Sequence, residues 1–206
     1  MRDILTILKE VNAVITDDHF VYTSGKHGSV YINKDAIYPH TKLASEIGKM
    51  FSVNAEQYSL DAVVAPSLGG IVLSQWTAYH LTEAKNKEVL GIYTEKDQDG
   101  NQVLKRGYDK LIRDKNVLVI EDLTNTGGSV KKVVEVVKNA GANTLAVGVM
   151  VNRNPVLVNE SFFNLPFFSL GELTAEAWDA KDCRLCKEKL PINTTVGHGK
   201  KFLEEK

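Results

Sequence analysis

The chain's apolar positions change rhythm several times, and each change marks an element. Ile4, Leu5, Leu8, Val11 and Ile15 recur at helical spacing, so the chain is predicted to open with a helix. Phe20-Val21-Tyr22-Thr23 and Ser29-Val30-Tyr31-Ile32 then read as short strands about the turn Ser24-Gly25-Lys26-His27-Gly28. A helix follows over Lys42 to Phe51, with Leu43, Ile47 and Phe51 on one face. From Asp61 onward, strands alternate with helices. The predicted strands are Ala62 to Ala65, Val89 to Tyr93, Asn116 to Ile120 and Thr144 to Val151; the helices are Ile71 to Leu81 and Ser129 to Asn139. Short, nearly continuous apolar strands separated by helices predict an α/β fold, a parallel sheet flanked by helices on both faces. Ligands of such sheets gather at the carboxyl ends of the strands.

Two stretches break the alternation. Glu95 to Arg113 is rich in Lys, Arg and Gly and reads as an exposed, mobile excursion, with a hairpin at Asp99-Gly100. Phe162 to Leu170 is apolar and caps the core or makes a subunit contact, and Cys183 to Lys206 is polar. No repeat, low-complexity tract or linker interrupts the chain. Residues 1–206 therefore read as a single domain, with a C-terminal tail over about 180–206.

Composition adds exclusions. Of 206 residues, 43% are hydrophobic and 25% charged, with a formal net charge of -1, so nothing favours nucleic acid or an anionic membrane as partner. No run approaches the ~18 apolar residues that span a bilayer. Met1 to Glu10 is amphipathic and charged, without a signal-peptide run, and a cytoplasmic location is expected by default. The two cysteines, Cys183 and Cys186, are too few and too close to staple a domain.

The densest chemistry lies where the third strand of the alternation ends. Val117 to Ile120 runs into Glu121-Asp122, then Leu123-Thr124-Asn125-Thr126-Gly127-Gly128-Ser129, then a helix. Backbone N–H groups at a helix start form an anion cradle. Glycines allow close approach of a phosphate, and the Thr126 and Ser129 hydroxyls add donors. Two carboxylates would repel a bare phosphate but suit sugar hydroxyls or a Mg²⁺ ion beside it. Acid pair and cradle together imply a sugar phosphate. The competing interpretation is an ordinary strand–turn–helix with a hydroxyl cap.

This string resembles the 5-phosphoribosyl pyrophosphate motif of type I phosphoribosyltransferases, and other segments narrow the resemblance to orotate phosphoribosyltransferases. Phe20 to Asp35 is similar to their N-terminal segment, which implies a small N-terminal hood. Ala65-Pro66-Ser67-Leu68-Gly69-Gly70 resembles their pyrophosphate loop. Tyr93 to Lys96 with Val103 to Gly107 resembles their flexible catalytic loop. Arg153 falls where the family has an Arg that grips orotate, and the tail from Cys183 to Gly199 resembles that of some bacterial and archaeal members.

The resemblance implies transfer of the phosphoribosyl group to orotate, giving orotidine 5′-phosphate and pyrophosphate, with Mg²⁺ carried by the substrate rather than held by the protein. It implies a homodimer, in which Lys96 reaches the pyrophosphate of a neighbouring subunit's site. Lys26 would contact pyrophosphate or base, and Glu121 and Asp122 the ribose hydroxyls. Thr124, Asn125, Thr126, Gly127, Gly128 and Ser129 would hold the 5′-phosphate, and Arg153 a carboxylate on the base. Ser67, Leu68, Gly69 and Gly70 would face the pyrophosphate.

Three positions depart from the family pattern. Gly69 stands where many members have Lys, a missing cation that Lys105 or Arg106 would replace. Asn125 stands where a Thr usually contacts orotate, and Lys105-Arg106-Gly107 replaces a Lys-x-His-Gly ending. A transferase for another nucleobase, or a non-catalytic regulator that binds the sugar donor, is the alternative. Cys183-x-x-Cys186 is expected to be structural or incidental; zinc with His198, or redox chemistry, is the other option. His27, His40 and His80 are expected at the surface or core edge, and Gly197 to Lys201 could lean over the site.

Overall fold

The computed structural model describes residues 2–205; Met1 and Lys206, the ends of the expected domain, lie outside the described residues. Helix α1 (Ile4–Glu10) is capped by Asp3, whose carboxylate accepts from the Thr6 N–H at 3.0 Å. The helical spacing seen as far as Ile15 breaks at Asn12, which takes a φ of 53°, a left-handed conformation that Asn tolerates better than most residues. The β-branched pair beyond it forms strand β1 (Val14–Ile15).

The hood is built from equally short pieces. Strands β2 (Phe20–Val21) and β3 (His27–Gly28) pair as an antiparallel hairpin, and β4 (Tyr31–Ile32) returns to pair with β1. The two strands predicted here are thus cut to two residues each. A 3-10 turn at Lys34–Ala36 leads to α2 (Thr41–Asn54).

The sheet and its helices follow in the expected alternation: β5 (Ala62–Pro66), α3 (Gly69–Lys85), β6 (Leu90–Lys96), β7 (Gln102–Val103), α4 (Tyr108–Ile112), β8 (Asn116–Thr124), α5 (Gly128–Asn139), β9 (Asn143–Asn152), α6 (Glu160–Phe163) and β10 (Phe167–Glu172). Their order is β10-β9-β8-β5-β6-β7, parallel except for β7. The tail contributes β11 (Ala177–Trp178), which pairs with β3, then α7 (Arg184–Lys187) and α8 (Gly199–Glu204).

Alternation along the strands divides the core between the two sheet faces. Val63, Ala65, Leu118 and Ile120 join one cluster with Ile47, Phe51 and Leu73. Ala62, Val64, Val117 and Val119 join another with Val130, Val133 and Val137. Because both faces are covered, these strands read as unbroken apolar runs. The apolar run from Phe162 to Leu170 supplies the edge strand β10, and Phe168 and Leu170 pack on the first cluster. The excursion after Lys96 is a formed hairpin: Glu95 pairs with Val103, and the Asp97 carboxylate accepts from the N–H groups of Asp99 and Asn101 at 2.9 and 2.8 Å.

Candidate active site

The parallel strands point their carboxyl ends at a cavity of about 610 Å³, and β8 delivers the acid pair there. Strand β8 runs four residues beyond its predicted end, so Glu121 and Asp122 lie within it, buried at 6% and 3% exposure. They do not line the cavity themselves, whereas Leu123, Asn125, Thr126 and Ser129 do.

Asp122 is fully engaged. Its Oδ2 accepts from Lys34 Nζ at 2.5 Å and from the Tyr38 hydroxyl at 2.9 Å, and its Oδ1 accepts from the Leu123 N–H at 2.6 Å. Burial disfavours the Lys34 charge, but the Asp122 carboxylate beside it outweighs that and leaves the ammonium pKa raised. Burial, then the Asp122 charge, raises the Tyr38 hydroxyl. Burial also pushes the Glu121 carboxyl well above the usual carboxylate range, with the Asp122 charge adding to it; Glu121 Oε1 accepts from the Asp122 N–H at 3.0 Å.

The cradle has its expected form. Gly127 has a φ of 73° and caps α5, and its N–H donates to Thr124 Oγ1 at 3.2 Å. A Cβ at Gly127 would lie 2.4 Å from the Phe162 ring, so glycine is required by both conformation and space. The N-terminus of this 12-residue helix opens beside Thr126 and Ser129, where backbone N–H groups and the helix dipole favour an anion.

The facing wall comes from the hood and tail. Tyr22, Thr23, Ser24, Lys34 and His198 line it. Arg153, just past β9, lies with its guanidinium 4.6 Å from the Tyr22 ring centre and lines the cavity. The Arg153 backbone N–H donates to Thr124 O at 2.8 Å, which joins the main chain here to the cradle loop. His198 lies against Thr23, its Nε2 3.1 Å from Thr23 Oγ1, so the Gly197 to Lys201 segment does reach the cavity.

Lys96, at the end of β6, lines this cavity. Other predicted residues are placed differently. Lys105 and Arg106 turn to Glu95, at 3.5 and 3.0 Å, and do not line the cavity. Lys26 is exposed at the hairpin tip, outside the cavity lining. Ser67 and Leu68 form the turn after β5, Leu68 is 82% exposed, and the peptide between them is cis. Gly69 and Gly70 begin α3. A Cβ on Gly69 would sit 2.2 Å from the Tyr38 hydroxyl and 2.3 Å from Asp122 Oδ2. Any side chain there must displace Tyr38, and Lys34 is the cation that this chain places at the acid pair. Sequence reasoning missed Lys34 and Tyr38: nothing local in Asn33-Lys34-Asp35 signals a partner 88 residues away.

An acid pair at a parallel strand end, running into a glycine-capped helix, defines a phosphoribosyl-transfer type of site. A family model of the phosphoribosyl transferase domain matches residues 33–162, and the chain belongs to that family. Within the family, similar proteins include several orotate phosphoribosyltransferases. The chain is 33% identical over 191 residues to the one from Thermoanaerobacter sp. strain X514, covering 93% of this chain and 94% of that protein. It is 32% identical over 195 residues to the one from Thermotoga maritima, covering 95% and 98%. A crystal structure of Mycobacterium tuberculosis orotate phosphoribosyltransferase in complex with 5-phospho-alpha-D-ribosyl 1-diphosphate matches the fold, with a TM-score of 0.62 at 18% identity over 84% of this chain and 97% of that one.

Proposed function

We infer that this protein transfers the phosphoribosyl group of 5-phosphoribosyl pyrophosphate to orotate, releasing pyrophosphate and forming orotidine 5′-phosphate. The observation that carries the acceptor is Arg153, a planar cation that lies over the Tyr22 ring in the same cavity as the phosphate cradle. A guanidinium held there matches the fork of a carboxylated base, and uracil or a purine has no carboxylate to meet it.

The donor's 5′-phosphate sits on the Thr124 to Ser129 loop, against the start of α5. Its ribose hydroxyls take hydrogen bonds at Asp122 in place of Lys34 and Tyr38. Lys34, displaced from Asp122, faces the departing diphosphate, and Lys96 meets it from the rim. The role earlier assigned to Lys105 and Arg106 thus passes to Lys34. As the bond at C1 breaks, negative charge grows on pyrophosphate and positive charge on the sugar; Lys34 and Lys96 on one side and the Asp122 carboxylate on the other stabilise both.

Mg²⁺ fits this site only as a passenger of the diphosphate. In this reading Asp122 is taken up by the ribose hydroxyls, and Glu121 is biased towards its neutral form. The chain therefore offers no ready carboxylate cage, and the ion would bring charge neutralisation on phosphate oxygens. A homodimer and a cytoplasmic location belong to the same reading.

The test is Arg153→Ala with both substrates titrated. KM for orotate is expected to rise about 10- to 100-fold, the scale of a charge-assisted hydrogen bond, with KM for the sugar donor within about threefold. Equal losses for both would remove Arg153 from the acceptor site.

A further inference from the structure

We propose that His19, His27, Cys183 and Cys186 form a structural zinc site that fastens the C-terminal tail to the hood over the cavity. His19 precedes β2 and His27 begins β3, while Cys183 and Cys186 lie at the start of and within α7, more than 150 residues later. The fold nevertheless brings one donor atom from each within 4.8 Å of all the others.

The distances suit a tetrahedral ion. Bonds of about 2.3 Å to sulfur and 2.05 Å to nitrogen place a sulfur and a nitrogen ligand about 3.5 Å apart. Cys183 Sγ lies 3.6 Å from His19 Nε2, and Cys186 Sγ lies 3.7 Å from His19 Nε2 and 3.4 Å from His27 Nδ1. The two nitrogens, at 2.8 Å, stand at hydrogen-bond distance; a shared metal spreads such a pair to about 3.3 Å.

The tautomer of His19 is set for binding. Its Nδ1 lies 2.8 Å from Leu190 O, an acceptor only, so Nδ1 carries the proton and Nε2 presents its lone pair to the cluster. A backbone carbonyl fixing the far ring nitrogen is the usual support of a metal-bound imidazole. His19, His27 and Cys183 are fully buried, and the His27 ring packs edge-on against Phe202, 4.8 Å between centres. Two thiolates neutralise a divalent ion, and a neutral cluster tolerates such burial. Two sulfurs and two imidazoles in tetrahedral array select zinc. Four protein donors leave no open position, which makes the site structural rather than catalytic.

The placement gives it a task. Its Cys-x-x-Cys half belongs to the tail that carries His198, and its histidines belong to the hairpin that carries Tyr22 and Thr23. The joint is continued by Asn193, whose N–H donates to His19 O, and by the His198 N–H, which donates to Val21 O, both at 2.8 Å. The ion would hold His198 on the cavity wall. This inference stands whichever base is the acceptor, because its readouts are metal content and thiol chemistry.

The protein, purified without a histidine tag and dialysed, is expected to carry one zinc per chain by elemental analysis. Because the chain has 2 cysteines, a thiol reagent reports on this site alone: both thiols should resist modification until a strong chelator is added. Cobalt loaded in place of zinc should give tetrahedral visible bands and sulfur-to-cobalt charge transfer. Cys186→Ser should weaken zinc affinity at least about 10-fold, whereas His40→Ala, on an exposed residue elsewhere, should leave content unchanged. Failure of the unaltered protein to take up stoichiometric zinc, thiols that react freely in zinc-loaded protein, a Cys183–Cys186 disulfide in freshly isolated protein, or cobalt spectra without sulfur charge transfer would each overturn the proposal.

Discussion

The two walls of the cavity are made by opposite means. The sheet wall is the end of β8 and the start of α5, rooted in strands buried on both faces. The hood wall is assembled from two-residue strands and a tail, and its strongest ties are polar. Apolar burial at roughly 25 cal/mol per Å² makes the first rigid without specific partners. The second has too little regular structure to hold itself, and depends on a few contacts between residues remote in sequence. Lys34 spans the two, leaving the hood strand β4 to pair with Asp122 in the sheet.

The largest effect is expected at the sheet wall itself. Asp122→Asn should lower kcat/KM for the sugar donor about 100-fold, the scale of two charge-assisted hydrogen bonds, with a smaller change for orotate measured at saturating donor. A variant of near-normal activity would show that the acid pair serves stability alone.

Next in size is the bond between the walls. Lys34→Met leaves a buried carboxylate with one partner fewer, and should lower unfolding free energy in urea by about 1.5–3 kcal/mol. Combined with Asp122→Asn the losses should add to less than their sum, because the two residues share one interaction. Full additivity would mean that the walls stand independently.

The smallest effect is a slope. Burial raises the Glu121 carboxyl well above the ordinary value of 4.5. Below that value the group is protonated whether folded or not, and contributes no pH dependence. As pH rises through it, the unfolded chain ionises first, so the native state loses stability until its own raised pKa is passed. Glu121→Gln should therefore decline less steeply than the unaltered protein over that range. Parallel curves would show Glu121 ionised in the fold.

The same contrast governs what could be read from the sequence. Strands β5, β6, β8 and β9 and helix α5 were legible because parallel strands advertise themselves as apolar runs and the cradle is a contiguous string. The boundaries fell short at β8, where Glu121 and Asp122 are polar yet buried in the strand. The hood was misjudged because its pairing is set by distant partners: Phe20 to Thr23 has strand composition but only two paired residues. His27, expected at the surface or core edge, is fully buried, and His198, considered as a partner of the cysteines, instead meets Thr23. His19 and His27 could have been set beside Cys-x-x-Cys as a four-donor set, but no local pattern joins residues more than 150 apart. Lys34 and Tyr38 carried no signal at all.

The claim that joins both walls is that orotate is the acceptor, with the donor on the sheet wall and the base gripped by Arg153 beside the hood. Pyrophosphate release should be followed with 5-phosphoribosyl pyrophosphate and Mg²⁺ against a panel of orotate, uracil, hypoxanthine, xanthine and adenine. Release with orotate, accompanied by orotidine 5′-phosphate and at least about 100-fold faster than with uncharged bases, is the predicted result. Turnover with a purine or uracil and none with orotate would contradict it.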